Sequence, residues 1–245
     1  MSRDMIGTFS KTYDFVWPLG QWCAPTMAMK RIGLRSASGP FDWMGRNQPV
    51  GAYVDMLTTG FSGFFLKENM QKLGDVPGEG TEHWKDMSQG WEIRHEFKAG
   101  VPFDANYANF HALVARRSER LLKSLRSGGH ILLVHWIGEG HYRREEVVAD
   151  MRRLRTAFPE STVDLLVIET ERHANGVSYE EPEPGVVFAV GDFYDQARFD
   201  PVQGNSKLAC AVLGQIRMRG KWRNVLHLKL ASLRKRLGRV FRRRK

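Results

Sequence analysis

Residues 130–137 have the sequence HILLVHWI, an apolar run typical of a strand buried on both faces of a sheet. Gly128-Gly129 precedes this run and ends an amphipathic helix that we predict over 106–126. A second amphipathic helix is predicted over 144–158, and a further buried strand over 162–168. Strand, helix and strand with short links predict parallel strands joined by a right-handed crossover.

The rest of the chain adds two strands and two stretches without regular structure. We predict buried strands over 13–19, ending at Gly20, and over 186–190. The region 39–100, punctuated by Gly and Pro, is predicted to form irregular loops, and 175–184 a solvated loop. The predicted fold class is therefore α/β, with a mixed, partly parallel sheet and flanking helices.

The composition is that of a globular chain with a strongly charged end. Of 245 residues, 42% are apolar and 26% are charged, which favours a folded domain over a disordered chain. The net charge is +10, yet 201–245 holds fourteen Lys or Arg and no acid, so the preceding residues carry the remaining −4. We predict one α/β domain over 1–218 and a basic amphipathic tail over 219–245.

The expected location is the cytoplasm. The chain has no run of about 20 apolar residues that would span a membrane, and its start lacks the pattern of a signal peptide. Two cysteines, Cys23 and Cys210, are too few for a disulfide framework, so we expect both to be thiols. Cys210 lies in the apolar run 208–213 and is predicted to be a core residue.

Cys23 stands where a predicted strand passes into a predicted helix. LGQWCAP covers 19–25, Pro25 suits a first helical turn, and Gly33 suits the end of that helix. Unpaired N–H groups and the positive end of the helix dipole lower the pKa of a thiol placed there, which raises its thiolate fraction. The same N–H groups, with the amide of Gln21, could hold the oxyanion formed in acyl transfer. Cys23 is therefore the candidate nucleophile.

Four motifs within residues 13–135 carry a family resemblance: LGQWCAP at 19–25, PFDW at 40–43, RHEF at 94–97 and RRSER at 116–120. In this order and spacing they resemble an uncharacterised bacterial family of papain-like cysteine peptidases. One motif departs from the family pattern, because the family usually has His-Asp-Phe where this chain has His95-Glu96-Phe97.

The resemblance implies a papain-like or related α/β hydrolase domain. It would act as a cysteine peptidase, or as another cysteine-dependent hydrolase or acyl transferase, on an acyl or peptide substrate that the sequence does not identify. Cys23 would be the nucleophile and His95, on which the family motif falls, the base. Glu96 and Asp42 are the candidates for the group that orients the imidazole.

Two other functions stay open. A strand that enters a Gly-x-x-Cys turn is also similar to the GSCFA family, whose members resemble SGNH-type hydrolases, and this favours an esterase or acyltransferase. That fold normally has its base near the end of the domain, where this chain offers only His227. Alternatively, the protein is a non-catalytic binding module in which Cys23 is structural and the basic tail binds a membrane surface or nucleic acid.

Patterns for cofactor and metal binding are incomplete. Gly138-Glu139-Gly140 lies between a buried strand and a helix, as in dinucleotide-binding folds, but Arg143 stands where a third glycine is required. His135, Glu139 and His141 have a spacing that matches no standard metal site. We therefore predict neither a cofactor nor a metal.

The tail combines one apolar helical face with basic residues. Within 225–241 that face holds Leu226, Leu230, Leu233, Leu237 and Val240. Such a helix suits an anionic membrane surface, where each nearby cation contributes roughly 1 kcal/mol. It also suits nucleic acid, but the aromatic residues that would stack on bases are sparse. We favour peripheral attachment to the inner membrane face through 221–245.

Liposome flotation tests this attachment. The full chain should float with vesicles that contain anionic lipid, and a chain lacking 221–245 should stay at the bottom of the gradient, because the cations and the apolar face are lost together. Vesicles of neutral lipid are the control and should recover little of either chain. Equal recovery of the two chains with anionic vesicles would refute membrane attachment through the tail.

Overall fold

The computed structural model describes residues 11–20, 23–35, 37–42, 44–45, 48–137, 142–193 and 206–220. Its helices are α1 (Ala24–Arg31), α2 (Val50–Thr58), α3 (Phe103–Leu125), α4 (Arg144–Ala157) and α5 (Ser206–Gly214). Its strands are β1 (Thr12–Tyr13), β2 (Phe15–Pro18), β3 (Met44–Gly45), β4 (Met70–Val76), β5 (Thr81–Asp86), β6 (Glu92–Lys98), β7 (His130–Ile137), β8 (Thr162–Thr170), β9 (Val177–Glu183), β10 (Val186–Gly191) and β11 (Arg217–Met218). Gln21, the segment 138–141 and the predicted tail helix at 225–241 lie outside the described residues.

A five-stranded sheet forms the centre of the fold, in the order β2-β7-β8-β10-β9. The first four of these strands are parallel, and in the register Trp17 lies opposite Leu133, which in turn lies opposite Leu165. The long apolar run of β7 follows from this position, because a parallel strand inside a covered sheet is buried on both faces. The predicted mixed α/β fold is confirmed, with α3, α4 and the strands after Gly128 where the sequence places them.

Helices cover both faces of the central sheet. On one face, Ile131, Leu133 and Ile137 join apolar residues of α2, α3 and α4 in a single cluster. On the other face, Leu132 and Val134 join apolar residues of α1 and α5. Successive side chains of a strand point to opposite faces, so the six apolar residues of β7, including Trp136, serve two cores.

A second sheet, antiparallel and in the order β3-β6-β5-β4, occupies the region 39–100 together with α2. The prediction of irregular loops over this region is therefore wrong. The strands carry many polar residues because β4 is largely exposed, while β5 and β6 bury part of their side chains against α3. There the ring of Phe97 lies 5.2 Å from those of Trp84 and Phe110. Because the buried side chains are few and spaced apart, the sequence gives only a weak strand signal.

The solvated loop predicted over 175–184 is also wrong, because β9 lies there and pairs antiparallel to β10. Its side chains alternate between exposed and half-buried, as expected for the outer strand of a sheet. Acids on this strand pair with α4: Glu180 with Arg144, and Glu183 with Arg155 at 3.0 Å. Charged side chains of this kind protect an edge strand against further pairing.

Two short strands, β1 and β11, form a separate two-stranded sheet. β1 pairs in parallel with β11, with Thr12 opposite Arg217, so residues that follow α5 lie beside the start of the fold. None of the described helices combines the length and the apolar character that crossing a membrane requires.

Candidate active site at the Cys23 turn

The turn that carries Cys23 begins at the end of β2, at the edge of the central sheet. The N–H of Leu19 donates to the carbonyl of Val134 at 2.8 Å, which extends the pairing with β7 by one residue. Gly20 then adopts a left-handed conformation with φ 74°. A Cβ at Gly20 would lie only 2.9 Å from Oη of Tyr53 on α2. Both the backbone angle and the space therefore require glycine before the cysteine.

Cys23 is the N-cap residue of α1. Its carbonyl accepts the N–H of Met27 at 2.8 Å, the first turn of the helix contains no acid, and the residue is 9% exposed. The first N–H groups of a helix have no partner within the helix, and its dipole is positive at this end. Cys23 thus lies at the positive end of α1.

Asp42 of the PFDW motif is buried against the first turn of α1. Its carboxylate accepts hydrogen bonds from Thr26 Oγ1 at 3.2 Å and from the N–H of Gly39 at 3.1 Å, and it forms an ion pair with Arg35. The residue is 1% exposed. Removing one member of a buried, hydrogen-bonded ion pair costs about 3–5 kcal/mol. These contacts define Asp42 as a clamp that fixes α1 to the PFDW segment.

The PFDW segment also connects the Cys23 helix to the strand of His95. Two residues after Asp42, Met44 begins β3 and lies opposite Ile93 of β6. His95 follows Ile93 by two residues, at an irregular stretch of the β5–β6 pairing. Residues 42–44 therefore link the Cys23 helix to the strand that carries His95.

The imidazole of His95 pairs with Glu79, an acid in the turn between β4 and β5. Nδ1 of His95 lies 2.8 Å from Oε2 of Glu79, and the two side chains are 37% and 46% exposed. The carboxylate of Glu96 instead contacts Arg117 on α3 at 3.2 Å. Of the acids near His95, Glu79 thus has the contact expected of an orienting group. The sequence offers no signal for it, because sixteen residues separate the two and only the strand pairing brings them together.

A second histidine, His135, lies directly against the Cys23 turn. It is fully buried in β7, and its Nδ1 is 3.2 Å from the carbonyl of Leu19. A carbonyl only accepts, so Nδ1 carries the proton, and Nε2 has no hydrogen-bond partner among the described residues. Its ring makes an edge contact with Tyr53, with centroids 5.0 Å apart. Burial lowers the pKa of His135 to about 4, so the imidazole is neutral at pH 7.

The role of His135 is not predicted from the sequence, although a signal exists. It is the polar residue inside the run ILLVHWI, and a buried polar residue in such a run needs a partner. That partner is the last carbonyl before Gly20. We read His135 as a residue that positions the Cys23 turn, since its buried Nε2 and low pKa are unsuited to general base catalysis near pH 7.

Two further residues, the second cysteine Cys210 and the β8 residue Glu169, contact neighbouring structural elements. Cys210 is half-buried on α5, with Sγ 3.9 Å from the carbonyl of Ala28 on α1, and burial raises the pKa of its thiol. The carboxylate of Glu169 lies 3.0 Å from Arg144. Across the ranges that the structure describes, no group of three or more His, Cys, Asp or Glu has the arrangement of a metal site.

These features define an α/β protein with a cysteine at a helix N-terminus, directly after a parallel strand. Residues 15–168 match the family model described as "Putative papain-like cysteine peptidase". The match covers more than half of the chain and spans the cysteine, PFDW and histidine motifs, so the chain belongs to this family. Searches of curated proteins and of solved structures gave no match.

The buried imidazole of His135 predicts a specific dependence of stability on pH. Its pKa in the folded protein is about 4, below the ordinary value of 6.5, so between these values the unfolded chain binds a proton that the folded protein does not. Its contribution to stability is therefore complete above pH 6.5 and is lost as the pH falls towards 4. From pH 7 to 4.5 the loss should be about 2–3 kcal/mol.

Urea unfolding of the wild type and of His135→Asn at pH 7 and pH 4.5 measures this loss. The variant has no titrating group at this position, so its free energy of unfolding should fall by about 2–3 kcal/mol less than that of the wild type. His130→Asn, at the exposed start of the same strand, should keep the slope of the wild type. Identical slopes for His135→Asn and the wild type would contradict a buried, neutral His135.

Proposed function

We propose that the protein is a cysteine-dependent hydrolase or acyl transferase of the papain-like type, with Cys23 as its nucleophile. The observation that carries the proposal is the position of Cys23 as N-cap of α1. The turn before it is fixed by Tyr53, which packs against Gly20, and by the hydrogen bond from His135 to the carbonyl of Leu19. Membership of a family described as cysteine peptidases supports the same chemistry and favours a peptide or another amide as substrate.

In the proposed reaction, the Cys23 thiolate attacks an acyl carbon and forms a carbon–sulfur bond. The carbonyl oxygen becomes an oxyanion, which the N–H groups at the start of α1 stabilise. Collapse of this intermediate expels the amine or alcohol, which takes a proton from the imidazolium of the base. Water, or an acceptor nucleophile, then gives its proton to the imidazole and attacks the thioester, which releases the acyl product and restores the thiolate and the imidazolium.

His95 is the proposed base and Glu79 its orienting acid. A carboxylate on Nδ1 fixes the tautomer that has Nε2 as the proton acceptor, which is the arrangement of a cysteine–histidine–acid site. The β3–β6 pairing and the Asp42 clamp connect this pair to the Cys23 helix. We propose Glu79 as the orienting acid rather than Glu96 or Asp42. The carboxylate of Glu96 binds Arg117, and that of Asp42 binds α1.

An ester is the second candidate substrate, because the Cys23 turn follows a strand of a parallel sheet, as expected for the SGNH-type alternative. That alternative would need a base late in the domain, and residues 206–220, which the structure describes there, contain no histidine. We also propose that 221–245 attaches the protein to the inner membrane face, as its composition suggests.

Turnover of a panel of peptide amides, thioesters and esters tests the proposal. Cys23→Ser should abolish turnover and the labelling of the protein by an electrophilic acyl probe, whereas Cys210→Ser should retain both, because Cys210 packs between α1 and α5. Full turnover by Cys23→Ser would refute Cys23 as the nucleophile, and no turnover of any panel substrate by the wild type would leave the binding-module alternative.

The base is tested with matched histidine variants in the same sheet. His95→Gln should lower kcat/KM by about 10²–10⁴-fold, the usual effect of losing a general base. His83→Gln is the control, since His83 also pairs with an acid, Glu92, at 3.1 Å. Glu79→Gln should cost less than His95→Gln and should shift the pH profile. Equal activity of His95→Gln and His83→Gln would exclude His95 as the base.

A further inference from the structure

An open groove runs between α3 and the loop that follows α2. Its volume is about 800 Å³, which lies in the range of small-molecule sites. Aromatic rings of Phe61 and Phe64 form one wall, and Val114 and Leu122 of α3 form the other. The groove shares no lining residue with the Cys23 turn, so it is a separate site.

The loop that carries the aromatic wall, residues 60–66, has an unfavourable backbone conformation at two positions. Phe61 has φ 65° and Phe65 has φ 54°, and bulky side chains rarely adopt this left-handed region. Tertiary contacts fix both residues: the N–H of Phe61 donates to Met56 at 2.7 Å, and the N–H of Phe65 donates to buried Asp86 at 3.0 Å. Backbone strain that surrounding contacts maintain is concentrated at ligand sites.

The floor of the groove contains a buried hydroxyl that the described residues leave unsatisfied. Ser118 lines the groove and is 5% exposed, and its Oγ has no hydrogen-bond partner in the described part of the chain. Leaving such a group unpaired costs about 1–3 kcal/mol. The hydroxyl oxygen itself is buried, so it lies beneath the surface of the groove.

Cations dominate the charged residues that line the groove. The cations are Lys123, in the last turn of α3, and Arg126, the C-cap of that helix, and the one acid is Glu119. Apolar walls with an excess of positive charge favour a ligand that has an apolar chain and an anionic group.

We propose that this groove binds an anionic amphiphile with a single apolar chain, of the type of a fatty carboxylate. The chain would lie between Phe61, Phe64, Val114 and Leu122, and the carboxylate would face Lys123 and Arg126. The proposal does not depend on Cys23 as a nucleophile, because the groove is formed by α3 and the loop after α2 alone.

Dodecanoate, below its micelle concentration, is the probe, and calorimetry of the full chain measures its binding. Ala115→Trp should weaken binding at least about tenfold, because Ala115 is exposed and lines the groove, so the indole would fill it. Ala112→Trp is the matched control: Ala112 is equally exposed on α3 but is not part of the groove, and binding should be unchanged.

Charge variants test the orientation of the ligand. Lys123→Glu should weaken dodecanoate binding severalfold, Glu119→Gln should strengthen it, and Arg116→Glu, an exposed change on α3 outside the groove, should have little effect. Dodecyltrimethylammonium, with the same chain and a cationic head, should bind at least about tenfold more weakly than dodecanoate.

Three outcomes would overturn the proposal. Ala115→Trp and Ala112→Trp could bind dodecanoate equally, which would place the ligand elsewhere, such as on the basic tail. The cationic amphiphile could bind as tightly as the anion. Dodecanoate could bind only after deletion of 221–245, which would make the tail the natural occupant. Cys23→Ser should bind dodecanoate like the wild type, so that loss of turnover and loss of this site can be told apart.

Discussion

The hydrogen bond between Leu19 and Val134 sets the position of the Cys23 turn, because it continues the pairing of β2 with β7 to the last residue before Gly20. The next residue of β7, His135, donates a hydrogen bond from Nδ1 to the carbonyl of Leu19. The ring of Tyr53 closes the remaining side of Gly20. The chain is thus fixed immediately before the helix whose N-terminus holds Cys23, and a precisely placed thiol needs such support.

The rest of the site depends on this turn through the PFDW segment. Asp42 ties that segment to the first turn of α1, and Met44 continues it into the antiparallel sheet that carries His95. Phe41 lies between the two regions, since its ring is 4.9 Å from Tyr53 and 5.4 Å from Phe61. Through these rings the aromatic wall of the groove and the residues around the Cys23 turn belong to one packed layer.

The central sheet could be predicted because its strands are buried on both faces and its helices have one continuous apolar side, as in β7 and α3. The antiparallel sheet and β9 could not, because each is buried on one face only and their polar residues resemble those of loops. The same limit applies to the site. The glycine turn and Cys23 are adjacent in sequence and could be recognised, whereas Glu79 reaches His95 only through strand pairing. His135 can be recognised in the sequence as a polar residue in an apolar run. Its hydrogen-bond partner cannot, because it follows from the register of β2 and β7.

The position of Cys23 at the N-terminus of α1 predicts a thiol that ionises more readily than that of Cys210. The pH dependence of iodoacetamide alkylation, followed for each cysteine by mass spectrometry, measures this property directly. Cys23 should be alkylated at a lower pH than Cys210, because burial raises the pKa of the Cys210 thiol. Alkylation of Cys23 only at the pH that Cys210 requires, or higher, would contradict a nucleophilic Cys23.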